Sequence, residues 1–363
     1  MTRPTAISRP IAPLSWVAGL AFLGVAPALW AVGSFDIEII PGPGLSDPAN
    51  AAALTAFQRA AQEWENYISS PITIYLSADL STSDNGVAFG SNTIGATGFT
   101  TYDNYNDINL PYDTVRNALA AHASQPGDGI LAYLPTQAQI SAQTPSGASL
   151  DTTTLGIIRS NQRALGLLSA TDTRPDASIV FNSGFTFDFD STDGIDPNKI
   201  DFQTAAAHEI GHALGFLSDV DDFDTVPGLA SDNLTTLDLF RFPTNHAPTN
   251  NLEFETFARE LTPGVPSVTS DTSVQYAMST GAVNGDGHQA AHWQDDFLLQ
   301  GGNLTVGPLI GIMDPTLPAG TSEYVGTADV RAINLIGYDV VPEPATSFLA
   351  LVGAGLLASR RKR

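Results

Sequence analysis

The segment His208-Glu209-Ile210-Gly211-His212 carries two imidazoles four residues apart, with a carboxylate directly after the first. On a helix, residues four apart lie one above the other on the same face, so both rings can reach a single ion. Zinc accepts imidazole nitrogen at about 2.0–2.1 Å, and a carboxylate beside it can hold a water and take its proton. That is equipment for hydrolysing a peptide bond, with Glu209 as general base and His208 and His212 as two metal ligands. The flanking residues favour a helix from about 202 to 217, because Ala205-Ala206-Ala207 and Ala213-Leu214 are strong helix formers. Gly211 inside it costs about 1 kcal/mol relative to alanine, which predicts close approach by another segment. Gly215 stands where a helix can stop or turn sharply.

A catalytic zinc usually has three protein ligands. In the compact pattern HExxHxxGxxH the third lies three residues after the glycine, but that position here is Ser218, with Asp219 one step late. The chain has no cysteine, so thiol ligands, thiol catalysis and disulfides are excluded. Four histidines remain: His122, His246, His288 and His292. His122 falls in a helical stretch and His246 in a Pro/Asn loop with no partner nearby. His288 and His292, four apart, can share a face. On residue types alone the third ligand stays open between His292, His288 and Asp219.

The run from His208 to Phe216 resembles the helix motif of metzincin proteases of the leishmanolysin type, in which an insertion separates the third histidine from the helix. Ala291-His292-Trp293 resembles the segment that carries that distant ligand, and Gly311-Ile312-Met313-Asp314-Pro315 resembles the methionine turn beneath the metal. The resemblance implies His208, His212 and His292 as zinc ligands, and Met313 as a polarizable floor that does not coordinate. Met278 competes weakly for that place, but it precedes the third histidine rather than following it. The ending Asn334–Asp339 is similar to that of bacterial secreted metalloproteases with sorting tails, whereas the disulfide framework of leishmanolysin itself is missing.

Around the motif, apolar positions Leu54, Phe57, Ala61, Trp64 and Ile68 recur at helical spacing, and Ile72–Leu76 reads as a strand. Residues 81–110 read as loop or irregular β, Tyr112–Ala123 and Leu155–Leu168 as helices, and Ala177–Asn182 as a short strand. That strand is a candidate edge for pairing with an extended peptide substrate. Ser218–Asp224 reads as an acidic loop, residues 225–310 as largely irregular, and Thr327–Ile336 as a last helix. This order predicts an α+β, metzincin-like domain over 34–340, with an N-terminal lobe to about 217 and a mostly irregular C-terminal lobe at 218–340. The acid-rich stretch Asp188–Asp196 suggests a calcium loop or, more simply, solvated charge; glycine falls one place late for an EF-hand. The run Asp219, Asp221, Asp222 and Asp224 reads the same way.

The two ends are of another kind. Residues 1–31 combine basic Arg3 and Arg9, an apolar run to about Trp30 and small residues, which is the order of a secretory signal peptide. Residues 341–363 hold Val341-Pro342-Glu343-Pro344, about fourteen apolar residues that are few for a stable membrane span, and a basic end. They resemble a PEP-CTERM sorting signal, which implies a bacterial exosortase-type processing partner and transient membrane contact through the tail. Fifteen Lys and Arg against 38 Asp and Glu give a net charge of −23, which argues against nucleic acid as a partner. The expectation is therefore a secreted or cell-surface zinc endopeptidase acting on protein or peptide. The alternative is a non-catalytic surface or matrix protein with a structural metal site.

Overall fold

Ile74, Leu76 and Ala78 along one strand, and Ala177, Ile179 and Phe181 along another, are buried at every second position. Successive side chains of a strand point to opposite faces, so each strand buries one apolar face. The computed structural model describes residues 35–99, 108–124, 127–300 and 303–342. The leader at 1–31 and the sorting tail from 343 onward lie outside the described residues.

In chain order, β1 (Asp36–Pro41), α1 (Ala51–Glu65), β2 (Thr73–Ser81) and β3 (Gly95–Phe99) come first. They are followed by β4 (Asn109–Pro111), α2 (Tyr112–Ala121), β5 (Ser149–Gly156), α3 (Arg159–Ala164) and β6 (Ala177–Asn182). The motif helix is α4 (Phe202–Leu214); α5 (Val220–Thr225), β7 (Ser231–Thr235) and the last long helix α6 (Thr327–Leu335) complete the frame. The main sheet has the order β1-β2-β6-β3, with the first three strands parallel and β3 antiparallel to β6. A second sheet runs β7-β5-β4, and further small sheets occupy the C-terminal half. Helices and mixed sheets in this arrangement make an α+β fold.

Helices α1 and α4 pack together over the buried face of the main sheet. In α1 the buried residues Ala53, Phe57, Ala60, Ala61 and Trp64 recur at three and four, the helical period. The Phe57 and Phe181 rings stand 5.6 Å apart edge to face, and Phe181 and Phe202 stand 4.6 Å apart. Trp64 Nε1 donates to the carbonyl of Ala207 at 2.8 Å, so the buried indole ties α1 to the first half of the motif helix. A second apolar cluster gathers Tyr112, Val115 and Leu119 of α2 with Leu155, Phe240 and Phe254. Among the described residues no helix is long and apolar enough to cross a membrane.

Four local expectations need correction. Leu155–Leu168 is not one helix: Leu155 and Gly156 end β5, and only Arg159–Ala164 is helical. Leu155 is drawn into a ladder opposite Leu110 and Leu234, where its side chain is buried, and pairing outweighs its helix preference. The stretch 81–110 contains β3, a full strand of the main sheet hidden by its small residues. Ala177–Asn182 is an interior strand, because β3 covers its far side. Ser218–Asp224 is mostly the short helix α5, and its acids are not simply solvated, since Asp224 is buried and accepts from the backbone N–H groups of Val283 and Asn284.

Candidate metal centre

The motif helix has a definite start and stop. Asp201 caps it by accepting from Gln203 N at 3.1 Å and Thr204 Oγ1 at 2.7 Å. At the other end Gly215 has φ of 115°, Phe216 N donates to Gly211 O, and Gly215 N donates to His212 O. This is a Schellman turn, and the left-handed conformation favours glycine. The turn brings the Phe216 carbonyl back to His212 Nδ1 at 2.8 Å.

The same pattern holds for the other two rings. His208 Nδ1 lies 2.8 Å from Ile312 O, and His292 Nδ1 lies 3.1 Å from Gln289 O. A carbonyl can only accept, so each Nδ1 carries the proton and each Nε2 presents a lone pair. Those three nitrogens converge: His292 Nε2 stands 3.1 Å from His208 Nε2 and 3.2 Å from His212 Nε2. Three imidazoles around one tetrahedral zinc at 2.0–2.1 Å would have their nitrogens about 3.3 Å apart. The donor set therefore fits zinc in type, tautomer and spacing, and the backbone carbonyls are the outer partners such ligands normally need. Burial holds His208 down to about 4 and His212 down to about 3, and His292 well below its ordinary value, so all three stay neutral and able to ligate.

Glu209 is 8% exposed and faces β3. Thr97 Oγ1 stands 2.6 Å from its Oε2 and 3.0 Å from its backbone oxygen. A Cβ on Gly95 would come within 2.9 Å of Oε1, so only glycine lets the strand pass so close. Burial pushes the Glu209 carboxyl up to about 7, with the Thr97 hydroxyl pulling the other way. A carboxylate with such a pKa is suited to proton transfer near neutrality.

His292 is held by a set of residues of which only Trp293 belongs to a motif seen in the sequence. Asp221 accepts from Ala290 N at 2.6 Å and Ala291 N at 3.0 Å, and the buried Arg241 donates to Ala290 O at 3.0 Å. On the other side Trp293 N donates to Met313 O at 2.9 Å, and Trp293 Nε1 donates to Asp329 Oδ1 at 2.7 Å. The fully buried Asp329 also accepts from Ile312 N, Met313 N and Gly326 N. One carboxylate at the start of α6 thus fixes both the turn around Met313 and the residue after His292. Its only sequence trace is an acid three residues after Gly326, at a helix start.

Met313 is fully buried, and a Cβ on Gly211 would collide with its Sδ. The close approach expected at Gly211 is therefore made by Met313, with Trp64 beside it. Gly211→Ala is expected to cost about 1–3 kcal/mol in a denaturant titration, since overpacking a tight contact outweighs the helix preference of alanine. A variant as stable as the wild type would show that the contact yields freely.

The competing residues go elsewhere. His288 Nε2 pairs with Asp295 Oδ2 at 3.1 Å. Asp219 groups with Asp222 and Asp232, away from the three imidazoles. Met278 takes a hydrogen bond from Thr269 Oγ1 at 3.0 Å and bridges to Trp293 in a short ladder. His122 lies 3.4 Å from Asp339. His246 does have a partner, the ring of Phe257 at 3.9 Å between centroids. In the stretch Asp188–Asp196 the carboxylates mostly cap their own loop: Asp188 accepts from Asp190 N and Asp196 N, and Asp190 from Thr192. No three ligand groups of that loop converge among the described residues.

Residues 340–363 match the family model of the PEP-CTERM protein-sorting motif. That motif marks export in a bacterium to the cell surface or beyond, and it implies an exosortase that recognises the tail. Neither the curated proteins nor the solved structures give a match to this chain.

Proposed function

We propose that the chain is an exported zinc endopeptidase of metzincin-like, two-lobed form, with His208, His212 and His292 as ligands and Glu209 as general base. The observation that carries this reading is the convergence of three Nε2 lone pairs, each ring fixed by a backbone carbonyl, with a buried carboxylate of raised pKa next to the first ligand. A zinc ion held by three neutral imidazoles supplies a Lewis acid that polarises a carbonyl and acidifies water.

The chain's own groups would do the rest. Glu209 takes the proton of the attacking water and passes it to the leaving amine, a transfer that suits a carboxyl titrating near 7. The strand that would receive substrate is β3, not β6. It ends the main sheet among the described residues, and its Gly95 and Thr97 lie against Glu209. An extended peptide adding to that edge would run beside the base, with main-chain hydrogen bonds giving affinity. Met313 closes the floor of the site as a soft buried side chain without a ligand role. The sorting tail would hold the protein at the membrane only until it is processed.

The test is hydrolysis. The purified chain with one zinc is expected to cleave casein, to stop when the metal is removed by chelation, and to recover when zinc returns. One bound zinc with no hydrolysis of any protein substrate would favour the structural-site alternative, which has no need of Glu209.

A further inference from the structure

The short helix α5 presents a second group of potential ligands that the imidazole site does not use. Ligand oxygens of Asp219, Asp222 and Asp232 all lie within 4.8 Å of one another. Three carboxylates so close repel strongly unless something positive lies between them. The charges acting most on Asp219 are themselves carboxylates: Asp238, Asp232, Asp222 and Asp221. Burial is the larger cause and these charges add to it, pushing Asp219 well above the usual carboxylate range and Asp232 up to about 6.

The contrast with the neighbouring Asp238 is informative. Asp238 is also buried, and the chain gives it donors from Ser218 Oγ, Asp219 N, Thr235 N and Thr235 Oγ1. Asp219 Oδ2 is completely buried and has no hydrogen-bond partner. A buried anionic oxygen without a donor is costly, and a fold that satisfies one aspartate so fully does not lack donors in this region. Asp219 Oδ2, Asn233 Oδ1 and Leu234 O all lie 3.3–3.5 Å from where a Cβ on Gly156 would sit. The amide nitrogen of Asn233 is turned away to Asn109 Oδ1 and Thr154 Oγ1, which leaves its oxygen on this side. Asp222 is exposed and gives the group an opening to solvent. The other acidic group, Asp295, Asp296 and Asp314, differs in having an imidazole at hand, His288 on Asp295.

We infer that Asp219, Asp222 and Asp232 bind a hard divalent cation, calcium, at a site separate from the three imidazoles. Calcium takes oxygen ligands in flexible geometry and fills its remaining positions with water, which suits two half-buried carboxylates and one exposed one. The site joins the segment just after the motif helix to β7. It also steadies α5, whose Asp221 holds the N–H groups of Ala290 and Ala291 ahead of His292. The inference does not depend on peptidase activity.

The purified full chain, stripped with EGTA and kept at constant zinc, is to be titrated with calcium chloride, reading bound calcium and the melting temperature. Calcium at about 100 times its Kd is expected to raise the melting temperature by about 5 °C. The double variant Asp222→Asn with Asp232→Asn is expected to bind one calcium fewer and to lose that rise. In EGTA it should melt higher than the wild type, because two mutually repelling charges are gone; this shows that it folds. No calcium uptake by the wild type would overturn the inference. So would a double variant that keeps both the calcium and the rise.

Discussion

Glu209→Gln is expected to lower kcat for a peptide substrate by about 10²–10⁴-fold while one zinc stays bound. The substitution keeps the shape of the side chain and its contact with Thr97, but glutamine cannot accept the proton of the attacking water. KM should change little, because the missing step belongs to the transition state rather than to substrate binding. Single-turnover kinetics beside metal analysis separates the two effects. A variant that hydrolyses casein as fast as the wild type would remove Glu209 from the mechanism. The wild-type rate should also fall on the acid side as Glu209 is protonated, and the site's own cation would move that limb below the value of about 7 set by burial alone.

His292→Ala is the second large effect. It removes one of three converging nitrogens and is expected to weaken zinc binding by about 100-fold or more, beyond what loss of an outer hydrogen bond usually costs. His288→Ala, which breaks only a pair with Asp295, should keep its zinc. Metal content after dialysis against a weak chelator distinguishes the two, and the reverse result would reassign the third ligand. Acid should act on the same site in a defined direction. Unfolded imidazoles protonate near 6.5, whereas burial holds His208 near 4 and His212 near 3. The unfolded chain therefore takes up protons first, and the histidines' contribution to stability is lost as pH falls from about 6.5 towards 3. Above 6.5 it is fully present.

Two of the proposed ligands and the proposed base lie within five residues on one helix, where spacing alone fixes their geometry. That part of the site needs only a helix, and the alanines, the Asp201 cap and Gly215 supply one. The third ligand is a different problem. His292 comes from 80 residues beyond His212, and only an ordered likeness to known proteins singled it out from His288. What holds it there is Trp293, which the motif includes, and Asp221, Arg241 and Asp329, which no motif marks. Strand β3 escaped for a related reason. Gly95, Ala96 and Gly98 lack the bulk that signals a strand, because small residues are what allow that edge to pass close to Glu209 and Ser178.

The local sequence by itself determined the motif helix, its cap and stop, the pairing of His208 with His212, and the sorting signal at the end. Each of these rests on neighbours along the chain, where periodicity, capping and charge act at short range. Only the tertiary structure decided that His292 and not His288 or Asp219 meets those two rings, that β3 forms the edge beside Glu209, and that Asp219 and Asp222 gather with the distant Asp232. Those outcomes depend on which distant segments share a core and which buried polar atoms find partners, and no local pattern encodes that choice.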